Sequence, residues 1–327
     1  MDVTTILETG VSTGGVGTDQ ASPDRPRATP AIDLLEGKRY LRRLPGDGPD
    51  RCSEDYTAFT LTPVGVTLGA AITGVDLSSP LTDELRAEIH RALLEWKVLF
   101  FPDQDMTSAA QREFGRHWGE LETNPLLEAG EDPSVVRFAK GGDGPPTYEN
   151  IWHVDTSFRP APAMGAILRM ITTPPFGGDT MWADMAAAYD NLSDEVKARI
   201  EDAVAVHDMV PGFARFLPAE KLTRLEGTFP PVTHPVVRTH PETGRRTLFV
   251  NAAFTTRIVG LEPVESDALL RHLFAQAHTP EFQVRYRWAE GTVAFWDNRS
   301  TQHYAVGDYG SHVRVAERVA IRGDAPF

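Results

Sequence analysis

The sequence predicts a mainly β protein with flanking helices, arranged as a β-sandwich or a β-barrel. The chain has 327 residues, of which 41% are hydrophobic and 24% charged. This is the composition of a globular protein large enough to bury a sizeable core. Short apolar runs punctuated by glycine and proline fill its middle and C-terminal parts, which is typical of sheets built from many short strands.

The strands are predicted from these apolar runs. Near the start of the folded part, Phe59, Leu61 and Val64 lead through a turn into Ala71 and Ile72, which predicts a pair of strands. Residues 98–101 read as a buried strand. Further strands are predicted at 135–138, 164–171, 180–183, 232–238, 247–250, 282–286, 292–296 and 312–321.

Five helices are expected around the sheets. The clearest covers 81–96, with Thr82 as N-cap and Leu85, Ile89 and Leu93 on one face. The others are predicted at 107–118, 185–189, 193–204 and 264–278. Residues 138–150, rich in glycine and proline, predict a long irregular loop of the kind that forms lids over sites.

Domain boundaries follow from composition. Residues 1–30 contain few large apolar side chains, which predicts a disordered tail. Residues 31–55 resemble an appended arm, and one folded domain is expected over 56–327.

Charge and cysteine content restrict the function. The chain carries 32 basic and 46 acidic residues, a formal charge of −14, which disfavours binding to nucleic acid or to an anionic membrane. No apolar run is long enough to span a membrane and no signal core is visible, so a cytoplasmic location is expected. Cys52 is the only cysteine, so any metal must be held by His, Asp or Glu.

Two segments offer such ligands. His153 and Asp155 lie two residues apart, and on a strand both would project from the same face; the alternative is a hydrogen-bonded structural histidine. In residues 295–303, an apolar strand ends in an Asp-Asn turn, and the chain then continues to His303, which would be placed in the interior. The alternative is a turn followed by a histidine without a functional role. Taken together, two histidines and one carboxylate match the facial triad that binds Fe(II) and leaves three positions open. An α-keto acid can occupy two of those positions and dioxygen the third.

Arg314 and Arg318 lie four residues apart on an apolar strand and so point to the same side. A surface ion pair with a snorkelling arginine is the alternative. Because the strand looks half-buried, two inward arginines indicate two carboxylate-like or sulfonate-like ligand groups.

Six motifs resemble the TauD/TfdA family of Fe(II)- and 2-oxoglutarate-dependent dioxygenases, in the family's order: WHVD (152–155), GGDTMW (177–182), HPVVR (234–238), FVN (249–251), FTTRIV (254–259) and WDNRSTQHY (296–304). The resemblance covers most of 56–327. It implies a distorted double-stranded β-helix, a cupin-like jelly roll, and often a homodimer or homotetramer.

The resemblance also implies roles for particular residues. His153, Asp155 and His303 would be the iron ligands, and Arg314 with Thr180 would bind 2-oxoglutarate. Arg318 would bind an anionic group of the substrate, and Phe254 would line the substrate pocket.

The rest of the pocket departs from the taurine-oxidising members of the family. Those members hold His, Tyr, Asn and Ser where this chain has Asn124, Leu127, Glu149 and Gly212, the last beside Phe213. Taurine is therefore not the expected substrate, and a larger one is. Glu149 is either a partner for a substrate cation or a surface glutamate.

The expected reaction is hydroxylation of a C–H bond in a small anionic substrate, with release of succinate and CO2. The anionic group would be a sulfonate, sulfate ester, phosphate or carboxylate, and hydroxylation of the carbon that bears such a group or an aryloxy group allows its release. Asp155 disfavours halogenation, because the related halogenases lack the carboxylate. The alternatives are a catalytically silent sensor of iron or 2-oxoglutarate, and a purely structural β-sandwich.

Overall fold

The computed structural model describes residues 56–123, 132–142, 149–214 and 217–327. In these residues the chain is mainly β, with helices packed around the sheets, as predicted. The predicted tail and arm, residues 1–55, lie outside the described part of the chain.

The strands are short, as the interrupted apolar runs predict. They are β1 Thr60–Pro63, β2 Ala70–Thr73, β3 Val98–Phe101, β4 Val136–Lys140, β5 Gly165–Thr172, β6 Thr180–Asp184, β7 Val204–His207, β8 Val232–Pro235, β9 Val237–Thr239, β10 Arg246–Leu248, β11 Thr255–Ile258, β12 Gln283–Tyr286, β13 Val293–Asp297, β14 Thr301–Ala305 and β15 Arg314–Ile321.

The helices lie between groups of strands. They are α1 Asp83–Trp96, α2 Ser108–Arg116, α3 Met185–Asn191, α4 Asp194–Ile200, α5 Val210–Phe213, α6 Ala219–Thr228 and α7 Pro263–Ala275. Within the described residues, none of them is both long and apolar enough to cross a lipid bilayer.

Helix α1 shows how local sequence sets an element. The Thr82 hydroxyl accepts a hydrogen bond from the Leu85 amide at 3.2 Å and caps the helix, as predicted. Ile89 and Leu93 form its buried face. The helix ends at Lys97, whose positive φ of 62° turns the chain directly into β3.

Two sheets form the centre of the molecule. The larger has seven strands in the order β1-β2-β3-β13-β5-β15-β4, antiparallel except for the β2–β3 pair. The smaller has the order β12-β6-β14. Two further small sheets, β11-β7-β8 and β10-β9, lie beside them.

The side chains of β3 alternate between two cores, as the pleat requires. Leu99 and Phe101 pack with α1 and α2 on one face of the large sheet. Val98 and Phe100 pack on the other face with Trp182 of the small sheet. The two sheets therefore face each other across a shared apolar layer.

The turn between β13 and β14 links these layers and positions a predicted ligand. β13 pairs within the large sheet and β14 within the small one. At the turn, the buried Asp297 carboxylate pairs with Arg299 at 2.8 Å and His240 at 2.9 Å. This buried ion cluster fixes the turn after which His303 follows.

Three predicted boundaries were wrong. The helix expected over 193–204 ends at Ile200, because Val204 begins β7, where Ala205 and Val206 are buried between β8 and β11. The strand expected over 232–238 is two strands in different sheets, broken at Val236. β4 extends to Lys140, so the irregular segment begins later than predicted.

Candidate active site

The structure brings the three predicted ligand residues together. The backbones of His153 and His303 form an isolated antiparallel bridge, with N–O distances of 3.1 and 3.0 Å. Their ring centroids lie 4.0 Å apart. One ligand atom from each of His153, Asp155 and His303 falls within 4.8 Å of the others, a spacing that a single ion can bridge.

Asp155 is not on a regular strand, which corrects one step of the prediction. The chain leaves the His153 bridge and enters a turn, in which Thr156 takes a positive φ of 53°. The Thr156 hydroxyl accepts a hydrogen bond from the Ala163 amide at 2.9 Å and stabilises this turn. The turn, rather than strand alternation, directs the carboxylate toward the histidines.

Asn298 fixes the position of Asp155 and was missed by the sequence reasoning. Its side-chain oxygen accepts from the Asp155 amide at 2.9 Å, and its Nδ2 donates to the Asp155 and Ala163 carbonyls, both at 2.9 Å. A buried amide with this many bonds rigidifies its neighbours. Because Asn298 lies in the turn before β14, it ties the Asp155 segment to the strand that carries His303.

The protonation states of Asp155 and His303 favour the binding of a metal cation. Burial lowers the pKa of the His303 imidazole well below its ordinary value, and the adjacent His153 ring lowers it further. Burial alone would raise the pKa of Asp155, but Arg318 and the two imidazoles outweigh it, and the pKa lies below its usual range. The carboxylate is charged and the His303 ring is neutral, as metal coordination requires.

Hydrogen bonds leave the coordinating atoms available. His153 Nδ1 lies 2.8 Å from the Ile151 carbonyl, so it carries the proton and Nε2 presents a lone pair. Asp155 Oδ2 is buried and has no hydrogen-bond partner among the described residues. Two imidazoles and one carboxylate fit a ferrous ion in a facial triad.

Arg318 lies directly beside these residues. Its Nη1 is 2.6 Å from Asp155 Oδ1, and its guanidinium lies over the Phe138 ring, 5.2 Å from the centroid. Arg318 and Arg314 both face one cavity, as their spacing on the strand predicted.

Arg314 and Thr180 lie together at another part of the same cavity. Arg314 Nε donates to the Gly178 carbonyl at 3.0 Å, and its Nη2 lies 3.4 Å from the Thr180 hydroxyl. Burial lowers the pKa of Arg314, yet a guanidinium stays charged at any physiological pH. Among the described residues, no carboxylate forms an ion pair with it, so this buried charge suits an anionic ligand.

The cavity has a volume of about 900 Å³ and is lined mainly by apolar side chains. Five phenylalanines line it: Phe138, Phe158, Phe213, Phe229 and Phe254. The Phe254 ring meets His153 edge to face at a centroid distance of 6.5 Å.

The structure describes some of the predicted substrate-binding residues but not all of them. Gly212 lines the cavity, and a Cβ there would lie 2.7 Å from the Ala253 carbonyl oxygen. Glu149 also lines the cavity, with its carboxylate 3.5 Å from Lys140 Nζ, so it is not a surface glutamate. Asn124 and Leu127 lie outside the described residues.

Glu122 and Arg159 line the cavity and were also missed. Burial raises the pKa of Glu122, although Arg159 lies 3.5 Å away and opposes this effect. No spacing in the sequence links these residues to the site, because each comes from a segment without a motif.

A facial triad of two histidines and one carboxylate is typical of mononuclear non-haem iron oxygenases. The family profile described as "Taurine catabolism dioxygenase TauD, TfdA family" matches residues 59–320. The chain belongs to this family, and the predicted class, a non-haem Fe(II)- and 2-oxoglutarate-dependent oxygenase, is confirmed.

Three similar proteins show how far the likeness extends. The alkylsulfatase of Acinetobacter baylyi is 38% identical over 265 residues, covering 79% of this chain and 83% of the relative. The alpha-ketoglutarate-dependent sulfate ester dioxygenase of Pseudomonas putida is 36% identical, covering 81% and 89%. The crystal structure of AAD-2 in complex with Mn(II) and N-oxalylglycine superposes with a TM-score of 0.71 at 32% identity, covering 83% of this chain and 99% of that one.

Proposed function

We propose that this enzyme hydroxylates the carbon that bears the anionic head group of an organic sulfate ester with a large apolar body. The reaction uses Fe(II), 2-oxoglutarate and dioxygen. The observation that carries the proposal is Arg318, a cation beside the predicted metal ligands in an otherwise largely apolar cavity of about 900 Å³. Two relatives named for sulfate ester chemistry, at 38% and 36% identity, support it.

The proposed roles follow the geometry. His153, Asp155 and His303 hold Fe(II), and the large and small central sheets form a distorted double-stranded β-helix. Once bound, the iron supplies oxygen activation coupled to the conversion of 2-oxoglutarate into succinate and CO2. Thr180 and Arg314 hold the distal carboxylate of 2-oxoglutarate. N-oxalylglycine is a near-isostere of 2-oxoglutarate, and its presence with Mn(II) in the AAD-2 structure supports this assignment.

Arg318 positions the substrate. A guanidinium pairs strongly with the oxygens of a sulfate in a partly dry cavity. Its contact with Asp155 places the head group, and therefore the carbon next to it, close to the metal ligands. The phenylalanines receive the apolar body and exclude water from it.

The products follow from mass balance. Hydroxylation of a CH2–O–SO3⁻ carbon consumes one dioxygen and one 2-oxoglutarate, and it gives succinate, CO2 and a carbon that bears both hydroxyl and sulfate. The C–O bond to sulfate then breaks, the hydroxyl proton leaves, and an aldehyde and inorganic sulfate are released.

The decisive experiment compares three anionic head groups on the same octyl chain, with taurine as a further compound. Octyl sulfate, octyl sulfonate, octyl phosphate and taurine are each given to the Fe(II) enzyme with 2-oxoglutarate under air, and succinate, aldehyde and sulfate are measured. Octyl sulfate is expected to stimulate succinate formation most and to release equal amounts of aldehyde and sulfate. Binding of 2-oxoglutarate without succinate formation, with every compound, would instead indicate a catalytically silent sensor.

An arginine variant ties the result to the site. Arg318→Gln should abolish the preference for octyl sulfate, whereas Arg322→Gln, at an exposed arginine just beyond the end of β15, should retain it. A preference that survives Arg318→Gln contradicts the assignment of the head-group site.

The location and assembly of the protein are proposed from weaker signals. The charge of −14 favours small-molecule partners over nucleic acid or membranes. A cytoplasmic enzyme, assembled as a homodimer or homotetramer with one catalytic domain over 56–327, stays a prediction.

A further inference from the structure

We infer that Trp288 is a positioning residue that aims the hydroxyl proton of Thr180 into the cavity and so makes this part of the site select a carboxylate. The inference rests on the proposed binding of 2-oxoglutarate by Thr180 and Arg314. Trp288 belongs to no predicted site motif. It follows β12 in the turn that leads to β13.

The Thr180 hydroxyl oxygen accepts two hydrogen bonds from side chains. Trp288 Nε1 donates to Thr180 Oγ1 at 2.9 Å, and Arg314 Nη2 approaches the same oxygen at 3.4 Å. An indole N–H and a guanidinium can only donate. A threonine hydroxyl has two acceptor lone pairs and one proton, so both lone pairs are engaged and the proton must point elsewhere.

The remaining direction is the cavity. Thr180 lines it, and within the described part of the chain no acceptor for the Thr180 hydroxyl proton is present. The O–H bond therefore faces the cavity beside the Arg314 guanidinium. Two donors converge there, a pattern that a carboxylate satisfies and a methyl or ammonium group does not.

The indole is held firmly enough to impose this orientation. Trp288 is buried, and its ring packs against Trp182 at a centroid distance of 6.2 Å and against Tyr286 at 5.6 Å. In contrast, the Trp182 indole nitrogen has no partner among the described residues. The hydrogen bond of Trp288 is therefore a specific feature of this aromatic cluster rather than a property of every tryptophan in it.

Arg314 is fixed in a comparable way. Its Nε bonds to the carbonyl of Gly178, and Gly178 adopts a positive φ of 69° that favours glycine. A Cβ at this glycine would lie 3.2 Å from Arg314 Cδ. Backbone and indole thus preset the two donors before any ligand enters, which lowers the ordering cost of binding.

The test is a double-mutant cycle on co-substrate affinity. Dissociation constants of 2-oxoglutarate and of 2-oxopentanoate, which lacks the distal carboxylate, are measured anaerobically on the Fe(II) enzyme by titration of the visible absorption band. The variants are Trp288→Phe, Thr180→Val and the double variant. Trp118→Phe serves as the control for loss of an indole, since Trp118 does not line the cavity and its indole nitrogen has no partner among the described residues.

Thr180→Val should weaken 2-oxoglutarate about tenfold and Trp288→Phe about fivefold, with little change for 2-oxopentanoate, because a hydrogen bond to a charged group is lost or misdirected. In the Thr180→Val background, Trp288→Phe should have no further effect. Trp118→Phe should bind both compounds like the wild type.

Two results overturn the inference. Either Trp288→Phe leaves the affinity for 2-oxoglutarate unchanged, or it weakens binding equally with and without the Thr180 hydroxyl, which would mean that the ring acts by packing alone. A different outcome, in which the wild type binds both keto acids equally well, would instead overturn the proposed carboxylate site itself.

Discussion

The two ends of the cavity are built from different kinds of structure. At the proposed co-substrate end, Thr180 lies on β6 and Arg314 on β15, and hydrogen bonds to Trp288 and Gly178 fix both side chains. At the proposed substrate end, much of the wall comes from the short helix α5 and from residues 252–254.

This difference separates what the family shares from what an individual enzyme can vary. Paired strands hold side chains in fixed register, so Thr180, His303 and Arg314, the strand residues of the proposed iron and 2-oxoglutarate sites, keep their geometry. Short connecting segments tolerate substitution, and they are where a new substrate can be accommodated. Of the departures from the taurine-oxidising pattern, Gly212 lies on α5 at the second end.

The largest effect is expected from Asp155→Ala. Loss of a charged ligand removes one of three metal contacts and leaves Arg318 without its carboxylate partner. Substitution of a residue that hydrogen-bonds to a metal ligand typically costs about 10–100-fold in metal affinity or activity. Loss of the ligand itself should cost more, so substrate-stimulated oxygen consumption should fall by more than about 100-fold. Oxygen consumption that stays intact in Asp155→Ala would remove the basis for the metal site.

Asn298→Ala should act through the same ligand. It leaves the Asp155 amide and two carbonyls without partners, and Fe(II) affinity should fall about 10–100-fold. Gln111→Ala is the matched control, because the Gln111 side chain is equally buried and also bridges two backbone carbonyls, but does not contact Asp155 or line the cavity. Both variants should unfold more easily in thermal denaturation, whereas equal Fe(II) affinities in the two would refute a positioning role for Asn298.

Gly212→Ala tests the substrate end alone. The new methyl group meets the Ala253 carbonyl at 2.7 Å, so α5 must shift, at a cost of about 1–3 kcal/mol for such overpacking. We expect kcat/KM for octyl sulfate to fall about tenfold, with the KM for 2-oxoglutarate unchanged. Gly227→Ala, on α6 with open space around it, should change neither quantity. A parallel loss in both substrates would show that the two ends are not independent.

The smallest effect near neutral pH is expected for His207, a buried histidine at the end of β7. Its ring contacts the hydroxyls of Ser157 at 3.1 Å and Thr255 at 3.3 Å. Burial lowers its pKa to about 3, from an ordinary value of 6.5, with a smaller contribution from His234. Between about pH 3 and pH 6.5, the His207 imidazole is therefore protonated in the unfolded chain but neutral in the folded chain.

The stability from this group is present above pH 6.5 and is lost as the pH falls toward 3. The slope is about 1.4 kcal/mol per pH unit. Urea unfolding of His207→Gln at pH 7 to 4 should show a shallower pH dependence than the wild type, and His117→Gln, at an exposed histidine, should not. Identical slopes for all three proteins would mean that His207 does not carry this dependence.

The sequence was sufficient for the elements that carry strong local signals. The Thr82 cap, the apolar face of α1 and the uninterrupted run of β3 each determine their own conformation, and the structure confirms them. β7 and β11 were missed because their short, mixed segments become strands only through pairing with each other and with β8. The same pairing explains why the helix predicted through Val204 stops early.

The residues of the candidate site also divide into those that the sequence predicted and those that it did not. His153, Asp155, His303 and the two arginines were predictable because their spacing and motifs repeat a known pattern. Glu122 was not assigned a role, because its partner Arg159 lies on another segment of the chain. Asn298 and Trp288 were not assigned roles either, since what they do depends on a backbone or a side chain more than 100 residues away. Hydrogen bonds of that separation leave no periodic trace in a sequence.

The main-chain bridge between His153 and His303 also has a consequence for folding. The two histidines lie far apart in the sequence, and His303 is held in place because β14 pairs with β6. A chain in which these strands have not paired would leave the proposed coordination site open. Fe(II) affinity would therefore report whether this part of the fold is assembled.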